Sequence, residues 1–305
     1  MNFNEIESGI EAGELGCPRI SLKRKRKRNW GKYMADISFT QFAYLDTNIF
    51  SHLAKNKHLW NHLLSYLLQN DLCLSLSSAN LAELADAGFL HDDIVDFLLC
   101  MPSVVIKTWD IILKEEVAAH PKSRSQTLLL DPIIRLLLEK NGHETLKSWF
   151  SSPKLAKARR EQLIYAKQIK MVHKELKGNF PPAKSGEYER HQADEFSSFI
   201  VMQWLVSTHR NFLTQFTDNP ENFNTDVFCS IKLFGLVNFY KYYLGKRDVK
   251  KTSDFGDFAH LCHLPYCQLV IIERDLCNVL NQIKSNHNIL QSTEITNIDF
   301  FKGWK

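Results

Sequence analysis

Apolar residues along this chain fall into two kinds of run, short ones of strand length and longer ones at helical spacing, and their order predicts the architecture. Phe42–Phe50 (FAYLDTNIF) is an apolar run interrupted by Asp46, Thr47 and Asn48, and it reads as a buried strand whose last residue is a carboxylate. Ser51–Asn70 places Leu59, Leu63, Leu64 and Leu67 at helical spacing, and Leu72–Leu76 (LCLSL) alternates as a second strand. Ser77–Gly88 (SSANLAELADAG) and His91–Cys100 then predict two short helices, and Ser103–Trp109 (SVVIKTW) a third strand. Strands alternating with helices predict right-handed crossovers and a parallel sheet covered on both faces.

From Ile111 to Leu244 the pattern changes to helical stretches, among them Leu128–Lys140, Leu155–Leu176, Ala193–His209 and Asp226–Leu244, with no strand expected. The α/β pattern returns with a helix over Thr252–Leu264, ended by Pro265, and a strongly apolar fourth strand, Gln268–Glu273 (QLVIIE). Arg274 and Asp275 follow, then a helix, with a last short strand near Thr293–Ile298. The expected organisation is a basic, unfolded tail over residues 1–33, an α/β core from 34–110 and 245–305, and an all-helical insertion over 111–244.

Composition narrows the class. An apolar share of 44% with twenty Phe and six Trp supplies a real core. The seven Cys are odd in number and sit mostly in apolar segments, so reduced core thiols are expected in an intracellular, cytoplasmic protein. No apolar run approaches the ~20 residues of a membrane span, and the N-terminus has no apolar signal core. The net charge of +4 matters less than its distribution. Lys23–Arg28 (KRKRKR) fits a nucleic-acid-binding arm or a nuclear address, while Met34 reads equally as the start of a compact domain. Between Lys154 and Lys177 stand Lys154, Lys157, Arg159, Arg160, Lys167, Lys170, Lys174 and Lys177 against only Glu161 and Glu175, a face suited to phosphates.

The candidate chemistry lies in acids that the topology brings together. Asp46 and Asp275 end strands whose carboxyl ends share one edge of a parallel sheet, where open α/β folds bind ligands. Glu83 lies one turn into the helix after the second strand, and a crossover helix over Thr252–Leu264 would bring Asp254 and Asp257 to the same edge. Each acid also has a purely structural role open to it. Glu83 has capping-box spacing from Asn80, Asp254 and Asp275 stand where helix caps do, and Asp46-Thr47-Asn48 would suit a turn. Gathered carboxylates repel one another unless a cation neutralises them. Hard oxygen ligands without paired Cys or His suit Mg²⁺ or Mn²⁺ rather than Zn²⁺. The His260, Cys262, His263 and Cys267 group has the residue types of a zinc site but the spacing of no common finger.

LDTNIF at Leu45–Phe50, a Glu in the helix after strand two, and DFAHLCHLPYCQLVIIERD from Asp257 to Asp275 together resemble the PIN-domain nucleases over roughly residues 40–110 and 250–300. The resemblance implies a three-layer α/β fold with a central, mainly parallel sheet. It implies metal-holding roles for Asp46, Glu83, Asp257 and Asp275, with Asp254 as an additional acid and Thr47 and Asn48 as polar neighbours of the first Asp. It also implies a metal-dependent endonuclease preferring RNA, single-stranded or structured, over DNA. Lys154, Lys157, Arg159 and Arg160, with Lys246, Arg247, Lys250 and Lys251, would hold the nucleic-acid backbone. The large helical insertion departs from the compact bacterial PIN toxins, so a role as toxin or defence component stays open, as do a protein partner and the homodimers that PIN-like domains often form. Two other classes remain: a non-catalytic nucleic-acid-binding or scaffold protein on the same core, and a phosphatase of the haloacid-dehalogenase type. The phosphatase needs a second Asp where this chain has Asn48.

Overall fold

The computed structural model describes residues 41–119, 134–135, 142–153, 155–157, 159–160, 163–164, 167, 170–171, 192–208, 224–244 and 258–304. The expected basic tail lies outside them. β1 (Gln41–Leu45) leads directly into α1 (Thr47–Lys55) and α2 (Trp60–Gln69). β2 (Leu72–Leu76) is followed by α3 (Ser78–Asp86) and α4 (His91–Cys100), and β3 (Ser103–Val105) by α5 (Trp109–Ala119). β4 (Ile134–Arg135), α6 (Gly142–Phe150), α7 (Gln192–Thr208) and α8 (Cys229–Asn238) come next, and α8 continues into a π-helical turn, Phe239–Leu244. α9 (Phe258–Leu261), β5 (Leu269–Ile271), α10 (Arg274–Asn286) and β6 (Glu294–Thr296) complete the order.

The strands form one sheet in the order β4-β3-β2-β1-β5-β6. All neighbours are parallel except β4, which pairs antiparallel with β3 through Val104↔Arg135 and Val105↔Ile134. The α/β class with a mainly parallel sheet therefore holds. The expectation that 111–244 is wholly helical does not: Ile134 and Arg135, expected inside a helix over Leu128–Lys140, extend the sheet instead. Two residues leave too short a signal for periodicity to reveal, and β4 is made by pairing to an edge rather than by its own pattern.

Strand alternation sorts the core into two layers. Phe42 and Tyr44, with Val104, Ile106, Val270 and Ile272, face a cluster with Ile112 of α5, Phe196 of α7, Leu236 of α8 and Leu280 of α10. Ala43 and Leu45, with Leu74, Leu76, Val105 and Ile271, face the other, built from α1 to α4 and α6. α1 to α4, between β1 and β3, thus help cover one face, and α5, α7 and α8 on the path back to β5, with α10 after it, cover the other. This is what right-handed crossovers demand, and it places the reversal of strand order between β1 and β5. The seam between α7 and α8 is tight: a Cβ added to Gly235 would lie 2.8 Å from the Cα of Ser197.

One buried carboxyl sits away from the sheet ends. Glu116 on α5 accepts at Oε1 from the Ser230 backbone N–H (2.8 Å) and from the Tyr266 hydroxyl, while its Oε2 has no partner among the described residues. Burial pushes it up to about 7, against the lowering effect of those donors. Among the described residues, Cys229, Cys262, Cys267 and Cys277 form no disulfide.

Two outcomes follow from the packing. Gly235→Ala should cost about 1–3 kcal/mol of stability, the usual price of overpacking, because backbone rather than a side-chain tip must yield. A carboxyl that binds its proton more tightly when folded costs stability as pH rises. Glu116 contributes no such cost below its ordinary value of 4.5 and the full cost above about 7. Glu116→Gln should therefore raise stability by about 1–3 kcal/mol above pH 7, with the gain fading toward pH 4.5. Denaturant unfolding at pH 8 and pH 5 measures both.

Candidate active site

The ends of β1 and β5 open onto a cleft of ≈ 450 Å³, lined by the acids Asp46, Glu83, Asp86, Glu273 and Asp275 together with Thr47, His260, Arg159 and Lys241. Three of the acids singled out from the sequence meet there. Asp46 immediately follows β1 and is the N-cap of α1, its Oδ1 accepting from the Thr47 N–H at 2.8 Å. Glu83 lies in the second turn of α3. That helix is capped by a box between Ser77 and Asn80, so capping is not the work of Glu83. Asp275 stands in the first turn of α10, behind the N-cap Glu273. An acid at a helix start is favoured by the helix dipole, which lessens the cost of carboxylates gathered at this edge.

Of the other proposed site residues, Asp254, Asp257, Lys154, Lys246, Arg247, Lys250 and Lys251 lie outside the described residues. Lys157 and Arg160 are exposed on the helical residues that follow Pro153. Arg159 turns into the cleft. It donates to Asp86 Oδ2 at 2.7 Å and to Glu83 Oε1 at 3.4 Å, so a cation expected to meet phosphate is paired with carboxylates.

Buried polar atoms tie the cleft to the sheet. Asn80 donates to the Leu45 carbonyl at 3.2 Å and to Thr47 Oγ1 at 3.4 Å, fixing the end of β1 to the starts of α1 and α3. Thr47 Oγ1 donates in turn to Glu83 Oε2 at 2.6 Å. His260 Nε2 lies 3.3 Å from Glu83 Oε1, and its Nδ1 meets the hydroxyl of the fully buried Tyr44. Asn48 donates to Glu273 Oε1. His263 and Cys267, which share the residue types of a zinc site with His260, turn elsewhere: His263 Nε2 reaches the Lys107 carbonyl at 3.1 Å, and the Cys267 thiol donates to the His263 carbonyl at 3.3 Å.

The surroundings shift the two central acids in opposite directions. Burial raises the pKa of Asp46, and the neighbouring charges of Glu273 and Glu83 raise it further against the lowering pull of His260 and the Thr47 N–H. Burial would raise Glu83 too, but the His260 hydrogen bond and charge, the Thr47 hydroxyl and Arg159 outweigh it and hold Glu83 at about 2.

No protein-family model, curated protein or solved structure matches the chain. The site must therefore be read from its own residues.

Among the described residues no three His, Cys, Asp or Glu side chains form a group able to hold a metal ion by themselves. The donor chemistry nevertheless fits a hard divalent cation. Asp46, Glu83, Glu273 and Asp275 offer carboxylate oxygens, and burial with the charges of Glu273 and Glu83 raises the pKa of Asp46. Among the described residues no helix is long and apolar enough to cross a membrane.

Sequence reasoning missed Tyr44, Glu273, Asp86 and Lys241, and weighed His260 only beside Cys262, His263 and Cys267. Glu273 had a signal, since it ends the same apolar run as Asp275 and stands closer to the strand. Tyr44 had none, because a strand aromatic reads as core.

The opposed electrostatics give a direct test without metal. In chelator at pH 7, Asp46→Asn should hold or raise the melting temperature. Glu83→Gln should lower stability by about 1–3 kcal/mol, since Arg159 and His260 lose a charged partner. A depressed carboxylate contributes stability above its unfolded value of 4.5 that is lost as pH falls through about 2, so the deficit of Glu83→Gln should shrink over that range.

Proposed function

We propose that this protein is a PIN-like, divalent-metal-dependent endonuclease acting on RNA in preference to DNA. The observation that carries the reading is the meeting of Asp46, Glu83 and Asp275, from three separate elements, in one cleft at the reversal of strand order. Asp257, which the resemblance assigns as the fourth ligand, precedes α9 in the sequence. In this reading the stretch 111–244 is an insertion into the core, and the protein works in the cytoplasm, with a toxin or defence role open.

Asp46, Glu83, Asp257 and Asp275 would hold the ion, with Asp254 as a further acid. A bound Mg²⁺ or Mn²⁺ supplies activation of water and stabilisation of charge on the phosphodiester. Thr47 fixes Glu83, and the Asp46 backbone N–H, bonded to the Ile271 carbonyl at 2.9 Å, fixes Asp46 against β5. Arg159 and Lys241 line the cleft as cations of the right sign for a phosphate backbone, with Lys157 and Arg160 exposed beyond it. Arg159 would exchange a carboxylate for a phosphate oxygen as substrate enters.

A second reading, a non-catalytic nucleic-acid-binding or scaffold protein on the same core, is favoured by one observation: the Arg159 cation already pairs with Glu83. A panel of single-stranded RNA and DNA with Mn²⁺, and with chelator as control, separates the two. On the nuclease reading, RNA is cut in a metal-dependent way. Asp46→Asn, Asp257→Asn and Asp275→Asn each lower the rate by about a thousandfold or more, the loss expected when several kcal/mol of transition-state stabilisation is removed. Binding without cleavage supports the second reading, and an Asp46→Asn variant that cuts at wild-type rate ends the assignment.

A further inference from the structure

Tyr44 is wholly buried on β1, and a phenylalanine would fill the same space, so its hydroxyl needs its own account. That hydroxyl touches Ser77 Oγ at 3.3 Å and His260 Nδ1 more closely. The protons can be followed through the network. Ser77 Oγ accepts from the Asn80 N–H at 3.1 Å and donates to Asn80 Oδ1 at 2.9 Å, which also accepts from the Ser77 N–H at 3.0 Å. A carboxylate only accepts, so the 3.3 Å contact between His260 Nε2 and Glu83 Oε1 calls for a proton on Nε2, and Nδ1 of the neutral ring then accepts from the Tyr44 hydroxyl.

The rings are held as well. Tyr44 meets His260 edge-on with centroids 6.1 Å apart, and stacks on His263 at 6.2 Å and 8°. His263 is in turn anchored to the Lys107 carbonyl. Burying a phenol and an imidazole is costly unless their polar atoms are paired, and here the pairing runs toward the cleft.

We propose that Tyr44 and His260 are positioning residues that aim the Glu83 carboxylate at a divalent cation. This rests on the metal-dependent reading above. Glu83 is gripped from two sides, by Thr47 at Oε2 and by His260 at Oε1. Arg159, shared with Asp86 at the shorter distance of 2.7 Å, is the exchangeable partner that yields to the ion and keeps its bond to Asp86. A hydrogen-bonded group behind a ligand fixes its orientation, and losing it typically costs about 10–100-fold in metal affinity.

The test is Mn²⁺ affinity of the full chain by titration calorimetry, without nucleic acid, alongside the cleavage rate at saturating Mn²⁺. Tyr44→Phe and His260→Ala should each weaken Mn²⁺ binding by about 10–100-fold, with rates largely restored at saturation. His260→Gln, whose amide can still donate to Glu83, should recover most of the affinity. Tyr44→Phe keeps the packing and stays decisive if His260→Ala fails to fold. Unchanged affinity in Tyr44→Phe, or a loss in His260→Ala that His260→Gln does not recover, overturns the proposal while Asp46→Asn still abolishes binding. A wild-type chain that binds no Mn²⁺, or an Asp46→Asn variant that binds it normally, overturns the underlying reading and this proposal with it.

Discussion

β1 must satisfy two apolar cores at once. Phe42 and Tyr44 belong to one and Ala43 and Leu45 to the other, while its backbone pairs with β2 on one side and β5 on the other. Because side chains alternate along a strand, a slip of one residue would exchange the two sets and turn Tyr44 away from His260. The register of this one strand therefore fixes where Asp46 emerges, and the cleft is assembled from the elements that begin at that edge. Asn80 makes the arrangement rigid by joining the last carbonyl of β1 to the start of α1 from the neighbouring helix.

Within that frame the acids divide the electrostatic work. Three partners, His260, Thr47 and Arg159, draw Glu83 down, whereas burial and two acidic neighbours raise Asp46 against His260 and a single backbone donor. A cleft built this way is neither an ordinary surface cluster nor a closed ion-pair network. The surroundings hold the Glu83 carboxylate well below its ordinary range and push that of Asp46 above it.

Much of this was legible in the sequence. The apolar runs at β1, β2 and β5 located the strands, and strand-end chemistry located Asp46 and Asp275 because a parallel sheet gives such positions one address. Glu83 followed from its place in the helix after β2. Asp46 itself differs in detail, as the cap of a helix that begins at Thr47, because a strand leading straight into a helix leaves no turn residues to mark the boundary. Tyr44 and His260 were not legible. One sits in an apolar strand and the other on a short, mostly apolar helix, and only their separation in space, not in sequence, gives them a role. β4 escaped for a related reason: an edge supplies the partner that two residues need.

The sheet also limits how the molecule can associate. Its outer strand on the β5 side, β6, is three residues long, carries Glu294 at its start, and passes at Asn297 into the tight turn Ile298–Phe301. A second copy docking strand against strand there would find only a few backbone groups to pair with, beside a charge it would have to bury. Short, charged edges of this kind resist fibrous growth and runaway polymerisation.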